Sequence, residues 1–232
     1  MKIKYLLIMM LLSVNCFAQE IILGKNYTQK EIECINTELI PIYEISLENK
    51  TIFIYGEQNE GKYFYEEKLL VVKDLKNKII FSEGIYLMDQ DVIFSFYKDE
   101  KNCAFKLKNR VDNEDPYNEL IVISSDSKQI FRKKIPENFI ASLVVLNDNV
   151  YYSTEFYENN LKKVNIKTGQ YSEIKFTLPN TSLLVIDNLV IGKTIDSKFF
   201  YIQDDKIIFF DEVLFEKDRG IKKYSCYQET SK

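Results

Sequence analysis

The densest cluster of ionisable side chains is Asp112-Asn-Glu-Asp-Pro-Tyr-Asn-Glu119, in which Asp112, Glu114, Asp115 and Glu119 are four carboxylates close together in sequence. Carboxylates at this density can converge on a hard cation, which takes about six to eight oxygen ligands, or attract a basic protein surface. No glycine stands where an EF-hand loop needs its sharp turn, so a calcium loop of that type is excluded. The cluster reads as a solvated loop whose charge steers a basic partner, and these four residues are the candidate partner-binding set. Other acidic pairs (Asp89 with Asp91, Asp204 with Asp205, Asp211 with Glu212) fall where turns or strand ends are expected, and turn chemistry explains them first.

Histidine is absent. That removes Ser-His-Asp and Cys-His catalysis, imidazole metal and haem sites, and any imidazole switch near neutral pH. Catalysis would have to use carboxylates, Lys, Tyr or a hard metal, and no cofactor motif is present, so no cofactor or metal is expected. Net charge is −4, and the arginines are Arg110, Arg132 and Arg219. An acidic chain with so few bidentate phosphate binders is a poor match for nucleic acid. Tryptophan is also absent, whereas Tyr and Phe number 16 each. The aromatics are read as strand residues on half-buried pleated surfaces.

The N-terminus has the pattern of a secretory signal at residues 1–18. Lys2 and Lys4 form the positive region, Tyr5 to Val14 the apolar one, and Cys16-Phe17-Ala18 precedes the cleavage point at Gln19. The apolar run is shorter than the roughly 20 residues that span a bilayer, and no later segment is longer, so no transmembrane segment is expected. Release to the periplasm or medium follows. A lipid anchor on Cys16 is the alternative, disfavoured because Asn15 stands where a small residue normally precedes a lipidated cysteine. Cleavage leaves Cys34, Cys103 and Cys226 in an oxidising compartment, where one disulfide and one thiol are the arithmetic expectation.

These side chains need elements to position them. Hydrophobic residues make up 46% of the chain and charged residues 28%, enough for a real core. Runs such as Thr51–Tyr55, Val92–Tyr97, Leu120–Ile123, Val150–Ser153 and Ile207–Phe210 are rich in Ile, Val, Phe and Tyr and are separated by Asn, Asp, Ser and Lys. They predict an all-β domain over residues 19–232. With only 7 glycines, Asn and Asp must supply many turns from the left-handed region they tolerate.

The strands recur as paired hairpins. One kind is expected at Ile45–Tyr55, Ile85–Ser95, Leu143–Ser153 and Leu183–Gly192. A second follows at Leu70–Lys78, Leu120–Lys128, Leu161–Ile174 and Phe199–Lys206. Asp74, Ser124, Asn165 and Gln203 then align at spacings of 50, 41 and 38 residues, and residues 103–118 are expected to be an insertion in the longest repeat. Leu161–Ile174, with Asn165-Ile-Lys-Thr-Gly169 at its turn, resembles the outer hairpin of many β-propeller blades. The resemblance covers roughly residues 42–214 and implies four or five blades of four antiparallel strands.

In a closed ring of blades the end segments would meet. Glu31–Asn36 and Lys223–Tyr227 both read as strands, and Cys34 would then bridge Cys226, leaving Cys103 single. With catalytic motifs missing, the expected role is a protein-binding module, for example an inhibitor or immunity-type protein against a toxin or hydrolase. The rival is a carboxylate-dependent carbohydrate-active hydrolase on the same scaffold.

Overall fold

Seventeen antiparallel strands and one short helix make up the described residues of this computed structural model, which are 21, 24–35, 41–56, 65–88, 96–109, 117–137, 140–154, 161–176, 180–216 and 220–226. The strands form four sheets, each a meander in chain order. Sheet 1 holds β1 (Pro41–Ser46), β2 (Lys50–Tyr55), β3 (Tyr65–Asp74) and β4 (Ile79–Met88). Sheet 2 holds β5 (Phe96–Lys98), β6 (Asn102–Asn109), β7 (Tyr117–Ser124) and β8 (Phe131–Ile135). Sheet 3 holds β9 (Ile140–Leu146), β10 (Asn149–Thr154), β11 (Leu161–Asn165) and β12 (Tyr171–Ile174). Sheet 4 holds β13 (Asn180–Ile186), β14 (Leu189–Thr194), β15 (Phe199–Gln203), β16 (Lys206–Glu216) and a fifth strand, β17 (Gly220–Cys226). This is a β-propeller-like array of four blades.

The period-two alternation of each strand gives every inner sheet two apolar faces. Ile52, Ile54, Leu70 and Val72 of sheet 1 pack on Phe105 and Ile121 of sheet 2. The opposite face of sheet 2, with Ala104, Leu120 and Val122, packs on Val145, Val150 and Tyr152 of sheet 3. Val144 and Leu161 turn the other way, onto Leu183, Val190 and Phe200 of sheet 4. Each fully buried aliphatic or aromatic side chain contributes about 1.5–3 kcal/mol. Phe200 lies across its cross-strand partner Gly192, where a Cβ would strike the ring. Among the described residues no apolar cluster links sheet 4 back to sheet 1.

The free face of sheet 1 is covered from the N-terminal side. Ile21, Tyr27 and Ile32 pack on Tyr55, Leu69 and Val71. The Gly24 amide donates to the Gly84 carbonyl at 2.9 Å, and the Gly84 amide to the Lys25 carbonyl at 3.1 Å, so this strap lies along the edge of β4. It ends in α1 (Gln29–Ile35), where a strand was expected. A capping box decides the outcome. Glu31 Oε2 accepts from the Thr28 amide at 2.8 Å, and Thr28 Oγ1 accepts from the Glu31 amide at 3.3 Å. Thr28-x-x-Glu31 satisfies the helix start locally, and Ile32 with Cys34 is too short an alternation to compete.

Three further expectations are corrected. The first hairpin of sheet 2 is β5–β6, turning at Asp99–Lys101, not Ile85–Ser95; β4 runs on to Met88 in sheet 1, and residues 89–95 lie outside the described residues. In the sequence, an outer strand with Asp next after it has the same pattern as an inner one, so periodicity could not separate them. Residues 103–118 are not one inserted loop, because β6 and β7 pair from Asn102↔Ser124 to Asn109↔Tyr117 and leave only 110–116 between them. Nor do the described end segments complete a shared blade, since the strap follows β4 and β17 pairs with β16.

Candidate functional site

In every sheet the first and third hairpin turns fall at the same end, the turn face. Asp74, Ser124, Asn165 and Gln203 all stand there as the last residues of third strands, the positions that set the repeat. Asn165 Oδ1 accepts the amides of Lys167 at 3.0 Å and Thr168 at 2.9 Å, and Gly169 follows at φ +70°. Asp74 Oδ1 accepts from Lys76 and Lys78, both at 2.9 Å, and there Asn77 takes the left-handed position at φ 62°. Asp187-Asn188 and Asp204-Asp205 have positive φ throughout, as two-residue type I′ hairpins require. Asn and Asp thus do the work that the scarce glycines do not.

A cleft of about 800 Å³ opens on this face across the tips of sheets 2, 3 and 4. Val122, Val145, Ile166 and Val185 line its apolar part, with the rings of Tyr97 and Phe131. Its polar rim includes Asn102, Asp126, Gln129, Asp148, Lys167 and Asn188. A second hollow of about 670 Å³ lies between the first turns of sheets 1 and 2, lined by Leu47, Glu48, Lys98 and Glu100, and shares Asp99 and Lys101 with the first.

The groups that shape the cleft are held from behind. Asp99 Oδ1 accepts the Lys101 amide at 2.8 Å and the Asn102 amide at 2.5 Å, while Oδ2 accepts the Tyr97 hydroxyl at 3.0 Å. Both of its oxygens are therefore engaged. Burial, then the Asp99 carboxylate, push the Tyr97 phenol above its ordinary range, so it stays a donor. Lys50 reaches from sheet 1 to donate to the Ser124 and Ser127 carbonyls, and burial draws its ammonium pKa down. The Asp148–Lys167 pair, at 2.7 Å, is exposed on both sides. At the rim the Ser125 hydroxyl donates to Asp126 Oδ1 at 3.3 Å. Among the described residues no group of three or more Cys, Asp or Glu could hold a metal ion.

The sequence-derived site residues fall elsewhere. Asp112, Glu114 and Asp115 lie outside the described residues, in the β6–β7 connection, which leaves from the end opposite the turn face. Glu119 is on β7 and buried, so it is not the solvated loop carboxylate expected. Arg132 on β8 grips it with two bonds, Nε to Oε1 at 3.0 Å and Nη2 to Oε2 at 2.6 Å, and its Nη1 donates to Glu83 on β4. Burial opposes the Arg132 charge, but Glu119 and Glu83 outweigh it and raise its pKa. The side chains of Cys34 and Cys226 lie outside the described residues. Cys103 is a free thiol, wholly buried between sheets 1 and 2, and burial pushes its pKa up.

A second network pins the β8–β9 connection to sheet 3. Glu137 accepts from the hydroxyls of Tyr152 and Tyr171, each at 2.9 Å, and Lys162 sits between Glu137 and Glu173. Burial, then Glu137, push both phenols up, which suits donors and not nucleophiles. The cleft residues were missed in the sequence because hydrophobic patterning reports strands, and these sit at strand ends. One signal was available: each first turn carries a carboxylate, at Glu48, Asp99, Asp148 and Asp187.

No family model matches the chain, and no curated protein matches it. Solved structures similar to it include a fragment of HIRA, at 10% identity over 79% of this chain and 55% of that one, TM-score 0.41. A variant of the Synechocystis apocarotenoid oxygenase is similar at 8% identity over 71% and 47%, TM-score 0.37. A chimera of that oxygenase with RPE65 is similar at 9% identity over 76% and 51%, TM-score 0.35. The chain spans about half the length of these structures.

Proposed function

We propose that this protein is an exported binding module that holds a protein partner on its turn face, an inhibitor or immunity-type protein being one concrete form. The cleft of about 800 Å³ across three sheet tips carries this reading, because it joins an apolar floor to a polar rim. Two of its carboxylates, Asp99 and Asp148, are committed to a turn and to an ion pair rather than poised for acid–base work. Export is supported by the pattern of residues 1–18.

Affinity capture from an envelope extract tests the binding role. The parent protein should enrich a defined partner, and Gln129→Trp combined with Lys167→Trp, exposed positions on the cleft's rim, should lose that partner while keeping nearly the same thermal unfolding. Equal recovery by parent and variant would remove the turn face from the account.

A further inference from the structure

Among the described residues the large apolar side chains left exposed are Leu75 at 77%, Ile195 at 59% and Ile80 at 43%. Two of the three share one hairpin. Leu75 stands in the β3–β4 turn, and Ile80 is the β4 residue that the register skips between Lys73↔Ile79 and Val72↔Phe81. Three cations, Lys73, Lys76 and Lys78, flank them against one carboxylate, Asp74, in a chain whose net charge is −4. Lys76 and Lys78 are exposed, and among the described residues no carboxylate pairs with either. The turn also satisfies its own main chain. Asp74 Oδ1 takes the Lys76 and Lys78 amides, the Asn77 amide donates to the Asp74 carbonyl at 2.9 Å, and the Asp74 amide donates to the Lys78 carbonyl at 2.9 Å. Its tip can therefore leave water without stranding those four amides. Ile195 is the contrast: it stands in the β14–β15 turn at the opposite end, beside an Asp196–Lys198 pair at 3.6 Å that cancels the local charge.

We propose that the β3–β4 hairpin docks this protein on a bilayer surface bearing anionic headgroups, with Leu75 and Ile80 entering the interface and Lys76 and Lys78 held among the headgroups. This goes beyond the binding role above and does not depend on it. So little apolar surface attaches to a membrane only with cations beside it, each basic side chain near an anionic leaflet adding its own increment. A soluble anion would engage the ammoniums and leave both apolar side chains in water. A turn tip is convex, which suits a fluid interface that closes around it better than a rigid partner, which would need a matching pocket.

The chain has no tryptophan, so Leu75→Trp gives a single reporter, read in the exported protein with vesicles of phosphatidylglycerol and phosphatidylcholine. Emission should shift to the blue with the mixed vesicles, stay unchanged with phosphatidylcholine alone, and revert in high salt. Ile195→Trp should shift with neither. In flotation, Lys76→Glu with Lys78→Glu, and separately Leu75→Ser with Ile80→Ser, should each lower the vesicle partition coefficient about tenfold or more, against less than about twofold for Ile195→Ser. These exposed changes should leave thermal unfolding nearly as in the parent, so that lost binding is not lost fold. No shift at Leu75→Trp, an equal shift at Ile195→Trp, or flotation undiminished by Leu75→Ser with Ile80→Ser would overturn the proposal. So would polyglutamate producing the same blue shift as the vesicles, since the hairpin would then take acidic chains rather than a bilayer.

Discussion

Arg132 shows how single residues hold the blades in place. It stands on β8, yet its guanidinium joins Glu119 of its own sheet to Glu83 of the sheet before, where both carboxylates are nearly enclosed. Removing one partner from a buried ion network leaves charges without compensation, at about 3–5 kcal/mol. Arg132→Ala should lose about that much in urea unfolding, and Arg132→Met with Glu83→Leu and Glu119→Leu much less. A loss under about 1 kcal/mol for Arg132→Ala would mean the network is solvated. At Glu31 the expected effect is one of pH. The Lys25 hydrogen bond first, then those from Thr28, hold its carboxyl down to about 2. Its contribution is therefore complete above the unfolded value of about 4.3 and is lost as pH falls through about 2. Amide protection over Tyr27–Ile32 should fall across that window and be insensitive to it in Glu31→Gln. Unchanged protection in the parent would separate Glu31 from the helix cap.

Hairpins were the most legible elements. Leu143–Ser153, Leu183–Gly192, Leu161–Ile174 and Phe199–Lys206 fold as their alternation and polar turns indicate, with Asn or Asp at positive φ in three of them and Gly169 in Leu161–Ile174. Ile85–Ser95 misled because two unrelated strands flank a boundary between sheets, and alternation carries no information about which sheet a strand joins. The strap was misread for the opposite reason: its decisive signal was four residues of capping chemistry rather than periodicity. Thr28→Ala should cost about 1 kcal/mol of local stability by removing that cap. Glu119 was misplaced because its partner Arg132 lies 13 positions away in sequence, and the other carboxylate on that guanidinium, Glu83, lies 49 positions from Arg132; such contacts leave no local trace.

At the scale of the molecule, four sheets stack through three apolar interfaces and the strap covers the face of the first. This construction brings the first and third turns of successive sheets to one end, and so gathers short strand-end residues into a continuous surface. The propeller-like repeat could be read from the spacing of Asp74, Ser124, Asn165 and Gln203; the cleft could not, because it arises from the relative placement of sheets. Export is a separate expectation at this scale. Intact mass of protein from the periplasm should place Gln19 first, and a diacylglycerol adduct on Cys16 would establish a lipid anchor instead.

The central claim, that the partner is held on the turn face, is tested most directly by photo-crosslinking in living cells. A photoreactive amino acid would be placed singly at Gln129 and Lys167 on that face, and at Glu67 and Lys134 toward the opposite end. The account predicts one discrete heavier species from Gln129 and from Lys167, absent from the other two positions. Adducts arising only from Glu67 or Lys134, or from no position, would contradict it.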